Sequence, residues 1–270
     1  MTKKLFIFTL SFVLANVHAE AQGLTTDMPR QTIAVNTVPK KWLQVETGVG
    51  IKTNKKSFER ITNYALPGFL FRYGICNGIE ARVLTGIVYE RYHFWNTTQN
   101  RKSGMWGTGP VEVGGKLKIW DEKKNRPSVS LSAHYRFNNN LRLSYDTMNG
   151  GNFRFSFQNR FSENFQLDYS AGMDWVSWLS QERYIYTLSP VLHFNEKWSG
   201  YLEASGIIRN KYCTIHFTRA GARFSPTENY AFDFIAGKAW NRKNSYLLDV
   251  FPNGEVALQF AWRFNTSSEK

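Results

Sequence analysis

The sequence predicts an all-β protein, a closed antiparallel transmembrane β-barrel with twelve strands. Three observations support this prediction. Apolar and polar residues alternate with a period of two along most of the chain, as they do in strands with two unlike faces. The apolar rows consist of large side chains, and 16% of the 270 residues are aromatic. The N-terminus has the pattern of a secretory signal.

Residues 1–19 predict export from the cytoplasm. A positively charged start precedes an apolar stretch at residues 5–17, and small residues follow, so that cleavage is expected after Ala19 or after Ala21. The apolar stretch is too short to span a bilayer, which takes roughly 20 residues. We therefore expect residues 1–19 to be a signal peptide. Together with the predicted barrel, it indicates the outer membrane of a Gram-negative bacterium.

The period of two is clearest in the second half of the chain. Residues 153–161 place phenylalanines on one face and arginine, serine and glutamine on the other. Residues 165–175 and 254–264 repeat the pattern, whereas helical spacing fails in each of these windows. The twelve candidate strands are residues 41–52, 62–73, 78–90, 108–120, 127–137, 153–161, 165–177, 183–194, 199–208, 213–224, 230–240 and 254–264.

Residues 141–148 also alternate and could form a thirteenth strand. Single-chain bacterial barrels have an even number of strands, short periplasmic turns and longer outer loops. With twelve strands in residues 41–264, the periplasmic connections are short and the longest loop, residues 91–107, lies outside. We therefore expect residues 141–148 to be an outer hairpin arm or an extension of a neighbouring strand, and residues 265–270 to be a C-terminal tail.

The apolar face is too bulky to be the core of a small soluble barrel, because five or six large residues recur on strand after strand. The other face collects serine, glycine, glutamine and both signs of charge, which suits a polar lumen. Strands of about 11 residues tilted by about 40° span about 28 Å, close to the apolar band of about 25 Å in such barrels. Tryptophans near strand ends suit the aromatic girdles: Trp42, Trp106, Trp120, Trp175, Trp178, Trp198, Trp240 and Trp262.

The polar face supplies the candidate lumen-lining residues, or pore candidates. Acids and bases occur there in equal numbers, so the net charge of the interior should be close to zero and many of these residues should form ion pairs. The acids are Glu46, Glu80, Glu90, Glu112, Asp168, Asp174, Glu203, Asp233 and Glu255, and the bases are Arg72, Arg82, Lys116, Lys118, Arg136, Arg154, Arg160, Arg183 and Arg263. In strand 213–224 the pattern slips after Phe217, as at a bulge. Whether Arg219 and Arg223 point inward stays open.

Excess positive charge is expected in the outer loops, since the formal net charge is +13 and the isoelectric point is about 9.7. These cations could pair with lipopolysaccharide phosphates or attract anionic nutrients. Nucleic-acid binding is excluded, because the charge is spread over separate loops of a membrane protein. The other expected partners are outer-membrane lipids and, during assembly, the barrel-insertion machinery. The outer-loop bases are Lys55, Lys56, Arg60, Arg101, Lys102, Arg209, Lys211, Arg242 and Lys243.

Four stretches in the first half of the chain carry a family resemblance: TDMPRQT at 26–32, VPKKWLQVETG at 38–48, FRYGICNGIEARV at 71–83 and GTGPVEVGGKLKIW at 107–120. In this order and spacing they resemble the outer-membrane β-barrel family labelled as meta-pathway phenol-degradation proteins, also called transporters. The family's Asp-Arg-Pro is replaced here by Asp-Met-Pro-Arg, starting at Asp27. The resemblance implies a twelve-stranded barrel with a transport role, and it brings no catalytic residues or phenol chemistry.

An enzymatic role would require a recognisable catalytic or metal site. Outer-membrane lipid hydrolases resemble one another in placing a histidine and a serine two residues apart on a lipid-facing strand. The histidines His93, His134, His193 and His216 have no serine at that spacing. Metal-ligand clusters and glycine-rich phosphate loops are also missing from the sequence pattern. We therefore expect no enzyme activity, no catalytic residues, no metal and no cofactor.

Three functions remain, of which an outer-membrane channel or transporter-like barrel for small polar or weakly anionic solutes comes first. The second is a plugged structural or assembly barrel without transport. The least favoured is an outer-membrane lipid hydrolase. Residues 20–40 are assigned as a periplasmic N-terminal segment, with the alternative that they fold inward as the plug. The sequence leaves the oligomeric state and the solute open.

Overall fold

The computed structural model of the chain describes residues 24–28, 31–55, 59–95, 100–124, 126–137, 149–176, 181–209, 213–240 and 254–267. The strands in these residues pair antiparallel with their sheet neighbours. In chain order they are β1 (Trp42–Lys55), β2 (Glu59–Cys76), β3 (Ile79–Trp95), β4 (Asn100–Thr108), β5 (Val111–Trp120), β6 (Ser128–Phe137), β7 (Gly150–Arg160), β8 (Phe165–Val176), β9 (Gln181–His193), β10 (Trp198–Arg209), β11 (Cys213–Thr227), β12 (Tyr230–Trp240) and β13 (Gly254–Asn265).

The strands close into a barrel with twelve positions. β1 pairs with β13 along its length, which joins the two ends of the sheet. β4 and β5 share one position, because β4 pairs with residues 87–95 of β3 and β5 pairs with residues 79–84. Pro110 separates them, and proline lacks the N–H that a continuous strand needs for pairing. The predicted twelve-stranded antiparallel barrel is therefore confirmed.

Short turns mark one end of the barrel, which is the periplasmic end in outer-membrane barrels. The turn between β2 and β3 has only Asn77 and Gly78, and Gly78 has a φ of 80°, which glycine adopts without strain. The other described connections at this end are residues 121–124 with 126–127, 161–164, 194–197 and 228–229. Their lengths agree with the short periplasmic turns that the sequence predicts.

The predicted outer loop at residues 91–107 is wrong in its extent. β3 continues to Trp95 and β4 begins at Asn100, and the two strands pair over this stretch. The rings of Tyr89 and Trp106 stand 4.8 Å apart between centroids, and cross-strand aromatic pairs of this kind stabilise a hairpin. The candidate strand 141–148 and the signal peptide 1–19 lie outside the described residues.

The inner and outer faces differ strongly in exposure. Leu202 and Leu258 are 59% and 55% exposed, whereas their chain neighbours Glu203 and Gln259 are 1% and 4% exposed. A protein in water would show the opposite pattern, so the exposed apolar face is the one that contacts lipid. The exposed tryptophans at strand ends belong to this face: Trp106, Trp120, Trp175, Trp198 and Trp240.

β11 corrects the prediction of a bulge after Phe217. The register with β10 runs without a shift from Cys213 to Phe224, and the shift against β12 occurs only beyond Phe224. Ile215 and Phe217 face inward, where they are 1% and 5% exposed and pack with Ile207. The sequence misleads here because an apolar patch occupies the inner face, where polar residues are expected.

Candidate lumenal site

The predicted lumen-lining residues share the inner face, and most of their charged side chains are buried. Arg160 differs, because it lies exposed at the periplasmic end of β7. The half-buried residues are Arg136, Arg154, Arg183, Glu255 and Arg263. The buried residues are Glu46, Arg72, Glu80, Arg82, Glu90, Glu112, Lys116, Lys118, Asp168, Asp174, Glu203 and Asp233.

Arg72 of β2 is the centre of a buried ion-pair cluster. Its Nε donates to Glu80 Oε1 at 2.9 Å, and its Nη1 donates to Glu46 Oε1 at 3.0 Å. A nitrogen of Arg82 lies 3.4 Å from Glu80, and Lys116 Nζ lies 3.8 Å from it. Period-two alternation brings these residues together on the inner face of β1, β2, β3 and β5. The barrel wall therefore contributes three cations to this cluster, Arg72, Arg82 and Lys116, and two acids, Glu46 and Glu80.

Residues 24–28 and 31–39, called the lumenal segment below, lie inside the barrel. Leu24 packs against inner-face alanines of β12 and β13. At its other end the segment passes Gly74 of β2, where a Cβ would collide with the backbone of Pro39. Glycine at this position therefore gives the segment room to lie against the wall before it continues into β1.

Asp27 connects the lumenal segment to the ion-pair cluster. Its Oδ2 lies 2.6 Å from Arg82 Nη1 and accepts a hydrogen bond from Lys116 Nζ at 2.9 Å. Its Oδ1 accepts the backbone N–H of Ala34 at 2.7 Å, which turns the segment back on itself. Burial alone would raise the pKa of Asp27, but Arg72, Lys116 and Arg82 outweigh it and hold that pKa well below its usual range.

Wall carboxylates on opposite sides of the barrel bind the rest of the lumenal segment. The backbone N–H and hydroxyl groups of the segment donate, and the acids of β1, β3, β10 and β12 accept. The bonds run from the N–H groups of Asp27 and Met28 to Glu46 at 3.0 and 2.9 Å, from the N–H of Thr32 to Glu203 at 2.8 Å, from the N–H of Val38 to Glu80 at 2.7 Å and from the Thr26 hydroxyl to Asp233 at 3.0 Å.

Arg219 and Arg223 of β11 point into the lumen, which the sequence left open. Arg219 Nη1 donates to Glu203 at 2.9 Å, and Arg219 also pairs with Glu255. Arg223 Nε donates to Asp233 at 2.9 Å. Each of these arginines therefore meets acids that the sequence already places inside.

Two further ion pairs lie nearer the outer end of the barrel. A guanidinium nitrogen of Arg136 stands 2.7 Å from Glu112, and one of Arg183 stands 2.6 Å from Asp174. Both pairs are partly accessible to solvent. Breaking either one should therefore cost less free energy of unfolding than breaking a fully buried pair.

Small hydroxyl side chains form a strip on the inner face of β6 to β9, called the hydroxyl strip below. Ser130 faces Ser156, which faces Ser170, which in turn faces Thr187. The hydroxyls of Ser170 and Thr187 are 2.7 Å apart and hydrogen-bonded. The buried hydroxyls of Ser130, Ser156 and the nearby Ser132 have no hydrogen-bond partner within the described part of the chain.

Only some of the predicted outer-loop bases lie within the described residues. Arg60, Arg101 and Lys102 are exposed, and they lie on paired strands rather than in a loop. Lys55 and Arg209 end β1 and β10 at the outer end. Lys56, Lys211, Arg242 and Lys243 lie outside the described residues.

Asp27 is the lumenal charge that sequence reasoning missed, although it lies in the quoted stretch TDMPRQT. Alternation assigns faces only within strands, and Asp27 precedes β1. The available signal was its place in a stretch between the predicted signal peptide and the first strand.

The histidines have partners other than serine. His134 hydrogen-bonds Asn152 at 3.1 Å, and His216 hydrogen-bonds the Tyr186 hydroxyl at 2.5 Å. In the described ranges, no group of three or more His, Cys, Asp and Glu residues could hold a metal ion.

Comparisons with known proteins identify solved structures of the same architecture. No protein-family model and no curated protein matches the sequence. An outer membrane channel from Pseudomonas putida F1 is similar with a TM-score of 0.65 and 11% identity, covering 89% of this chain and 100% of that chain. The transport unit of the autotransporter AIDA-I from Escherichia coli is similar with a TM-score of 0.52 and 9% identity, covering 97% of each chain.

The NanC porin is also similar, with a TM-score of 0.51 and 10% identity, covering 82% of this chain and 98% of that chain. At such low identities the similarity concerns the fold. It confirms that this chain has the fold of an outer-membrane β-barrel, in agreement with the predicted location.

Proposed function

We propose that this protein is an outer-membrane channel that passes small polar or weakly anionic solutes through a lumen narrowed by the lumenal segment. The observation that carries this proposal is the polar inner face of the closed barrel, in which the hydroxyl strip on β6 to β9 is a section of small side chains. Elsewhere the described inner wall carries buried ion pairs and, on β11, an apolar patch.

We assign the passage to this strip because its side chains are small and the hydroxyls of Ser130 and Ser156 in it are unpaired in the described part of the chain. Leaving a buried hydroxyl without a partner costs about 1–3 kcal/mol, so groups of this kind usually bond to water. Ser130, Ser132 and Ser156 lie on adjacent strands, and Ser130 stands directly opposite Ser156 in the sheet. In the structure these hydroxyls are closed to solvent, so water or a small solute with hydroxyl or carboxylate groups reaches them only when the neighbouring groups move.

The charges favour polar solutes with a weak anionic preference. Ion pairs along the wall can exchange with the polar groups of a passing solute, while exposed bases near the outer end raise the local anion concentration. Arg101 and Lys102 are such bases. We also propose lipopolysaccharide phosphates as partners of these exposed bases, and outer-membrane lipids as partners of the apolar face.

The family resemblance and the fold both support transport. Two of the structures with the same fold are named as an outer membrane channel and a porin. The family that the sequence resembles is also called a transporter family. Its label refers to phenol degradation, and we propose no phenol chemistry from it.

The second candidate is a plugged structural barrel without transport. It is favoured by one specific observation, namely that the lumenal segment bonds to wall carboxylates on β1, β3, β10 and β12. A segment anchored on opposite sides of a narrow barrel could close it completely.

Single-channel recording of the refolded full-length protein in planar bilayers tests the proposal. We expect discrete current steps, and we expect the double variant Ser132→Val/Ser156→Val to lower the conductance at least about twofold, because it narrows and dries the wall of the passage. Ser267→Val, beyond the last strand, is the matched control and should leave the conductance unchanged. Folded protein without current would favour the plugged barrel, and unchanged conductance in the double variant would refute the hydroxyl strip as the path.

A further inference from the structure

We propose that Arg72, Arg82 and Lys116 form an anion-binding site that Asp27 occupies as a tethered ligand, and that a small monocarboxylate solute exchanges with it. This inference deepens the proposed channel function and rests on it, because the solute must enter the lumen.

Three cations converge on one oxygen of Asp27. Asp27 Oδ2 lies 2.6 Å from Arg82, 2.9 Å from Lys116 and 3.9 Å from Arg72. The three cations belong to β2, β3 and β5, so strand pairing in the barrel wall, and not the lumenal segment, fixes their backbones. Asp27, in contrast, belongs to a part of the chain that precedes the first strand.

The charges of the cluster balance only when Asp27 is included. Glu46 and Glu80 are the wall acids of this cluster, and both already bond to Arg72. The wall therefore carries one more cation than acids, and Asp27 supplies the missing negative charge. Leaving a buried charge without compensation is strongly unfavourable. If Asp27 moves away, a single negative charge must replace it, which points to a monoanion rather than a dianion.

Asp27 does not use the full capacity of the cations. It presents only Oδ2 to them, since Oδ1 is bonded to the N–H of Ala34. Arg82 is buried, yet its Nε has no hydrogen-bond partner in the described part of the chain. A free carboxylate has both oxygens available for the cations and can bind a guanidinium through two parallel bonds. The cluster can therefore offer a free carboxylate more hydrogen bonds than Asp27 uses.

Side chains of the wall, rather than strand pairing, hold most of the lumenal segment. Residues 24–28 and 31–39 take part in no strand, and the wall side chains that bond to them are carboxylates and those of Gln44, Arg72, Lys116, Arg154 and Arg223. A local displacement of Asp27 needs no strand to unpair. A solute carboxylate could thus take the position of Asp27 while the barrel stays intact.

Acetate binding to the refolded full-length protein in detergent tests this site without any current measurement. In Asp27→Asn the amide oxygen can still accept the Ala34 N–H, but the negative charge is gone. We expect Asp27→Asn to bind acetate at least about tenfold more tightly than the wild type, measured by calorimetric titration at pH 7. Asp27→Ser should behave in the same way, and it replaces Asp27→Asn if that variant does not fold.

Three controls separate charge from general disruption. Asp27→Glu keeps the charge and should bind acetate as weakly as the wild type, and so should Glu163→Gln in an exposed periplasmic turn. Adding Lys116→Gln to Asp27→Asn should abolish the gain. Equal acetate affinity in Asp27→Asn and the wild type, or in Asp27→Asn and Asp27→Glu, would overturn the site.

Inorganic phosphate tests the class of ligand. We expect Asp27→Asn to bind phosphate more weakly than it binds acetate. Tighter binding of phosphate than of acetate would overturn the assignment to monocarboxylates. Because binding is measured in detergent, a barrel that binds acetate without conducting would refute the channel alone. A barrel that conducts without this binding would refute the site alone.

Discussion

Removing the guanidinium of Arg72 should strongly destabilise the barrel. Arg72 is fully buried and donates to Glu80 and Glu46, and also to the backbone oxygens of Thr25 and Asn36 at 2.8 and 2.9 Å. Arg72→Gln leaves two buried acids short of a counter-charge. Breaking a buried pair in this way typically costs about 3–5 kcal/mol. We expect a loss of this size in the free energy of unfolding.

Urea unfolding of the refolded barrel, followed by tryptophan fluorescence and by migration of unboiled samples on detergent gels, measures this loss. The exposed Arg101→Gln is the matched control, and we expect it to change the unfolding free energy by less than about 0.5 kcal/mol. Arg72→Gln combined with Glu80→Gln should recover part of the loss, since one buried charge is removed with its partner. A loss below about 1 kcal/mol for Arg72→Gln would refute the idea that this cluster depends on its arginine.

Three further predictions follow from the topology and the charges. Cys76 lies at the periplasmic end and Cys213 at the outer end, about 25 Å apart across the apolar band, so peptide mapping should find no disulfide between them. Because the pKa of Asp27 is lowered in the folded protein, its stabilising effect is complete above the unfolded pKa of about 3.9 and is lost as the pH falls through the lower folded value. The unfolding free energy lost in Asp27→Asn should therefore be equal at pH 7 and pH 5 and should shrink only in more acidic solution, whereas a marked difference between pH 7 and pH 5 would contradict this. Neutralising Arg101, Lys102, Arg242 and Lys243, which the sequence predicts to be outer-loop bases, should weaken anion selectivity and largely preserve conductance, and unchanged reversal potentials would contradict their role.

The strands could be predicted from the sequence because alternation is a local property. A residue such as Glu203, between two outward-facing apolar neighbours, has its face assigned by its position alone. The same rule fails in β11, where Ile215 and Phe217 face inward on an apolar patch. It also fails at residues 91–107, since the pairing of β4 with β3 depends on cross-strand contacts such as Tyr89 with Trp106.

The centre of the candidate site could be predicted only in part. Alternation places Arg72, Arg82 and Lys116 on the inner face, but it gives no distances between strands. Asp27 was not predicted as a lumenal residue, because its position depends on how a segment without periodicity packs inside the barrel. The sequence also does not predict that the hydroxyls of the strip are unpaired, because alternation assigns these serines to the polar face and says nothing about their partners.

The reversal potential of the wild-type protein in a salt gradient tests the central claim most directly. The balanced lumen and the basic outer end predict a weak preference for anions over cations. This preference should fade as the salt concentration approaches 1 M, where the Debye length falls to about 3 Å and screens the rim charges. A preference for cations, or no current at all from protein that migrates as a folded barrel, would contradict the account.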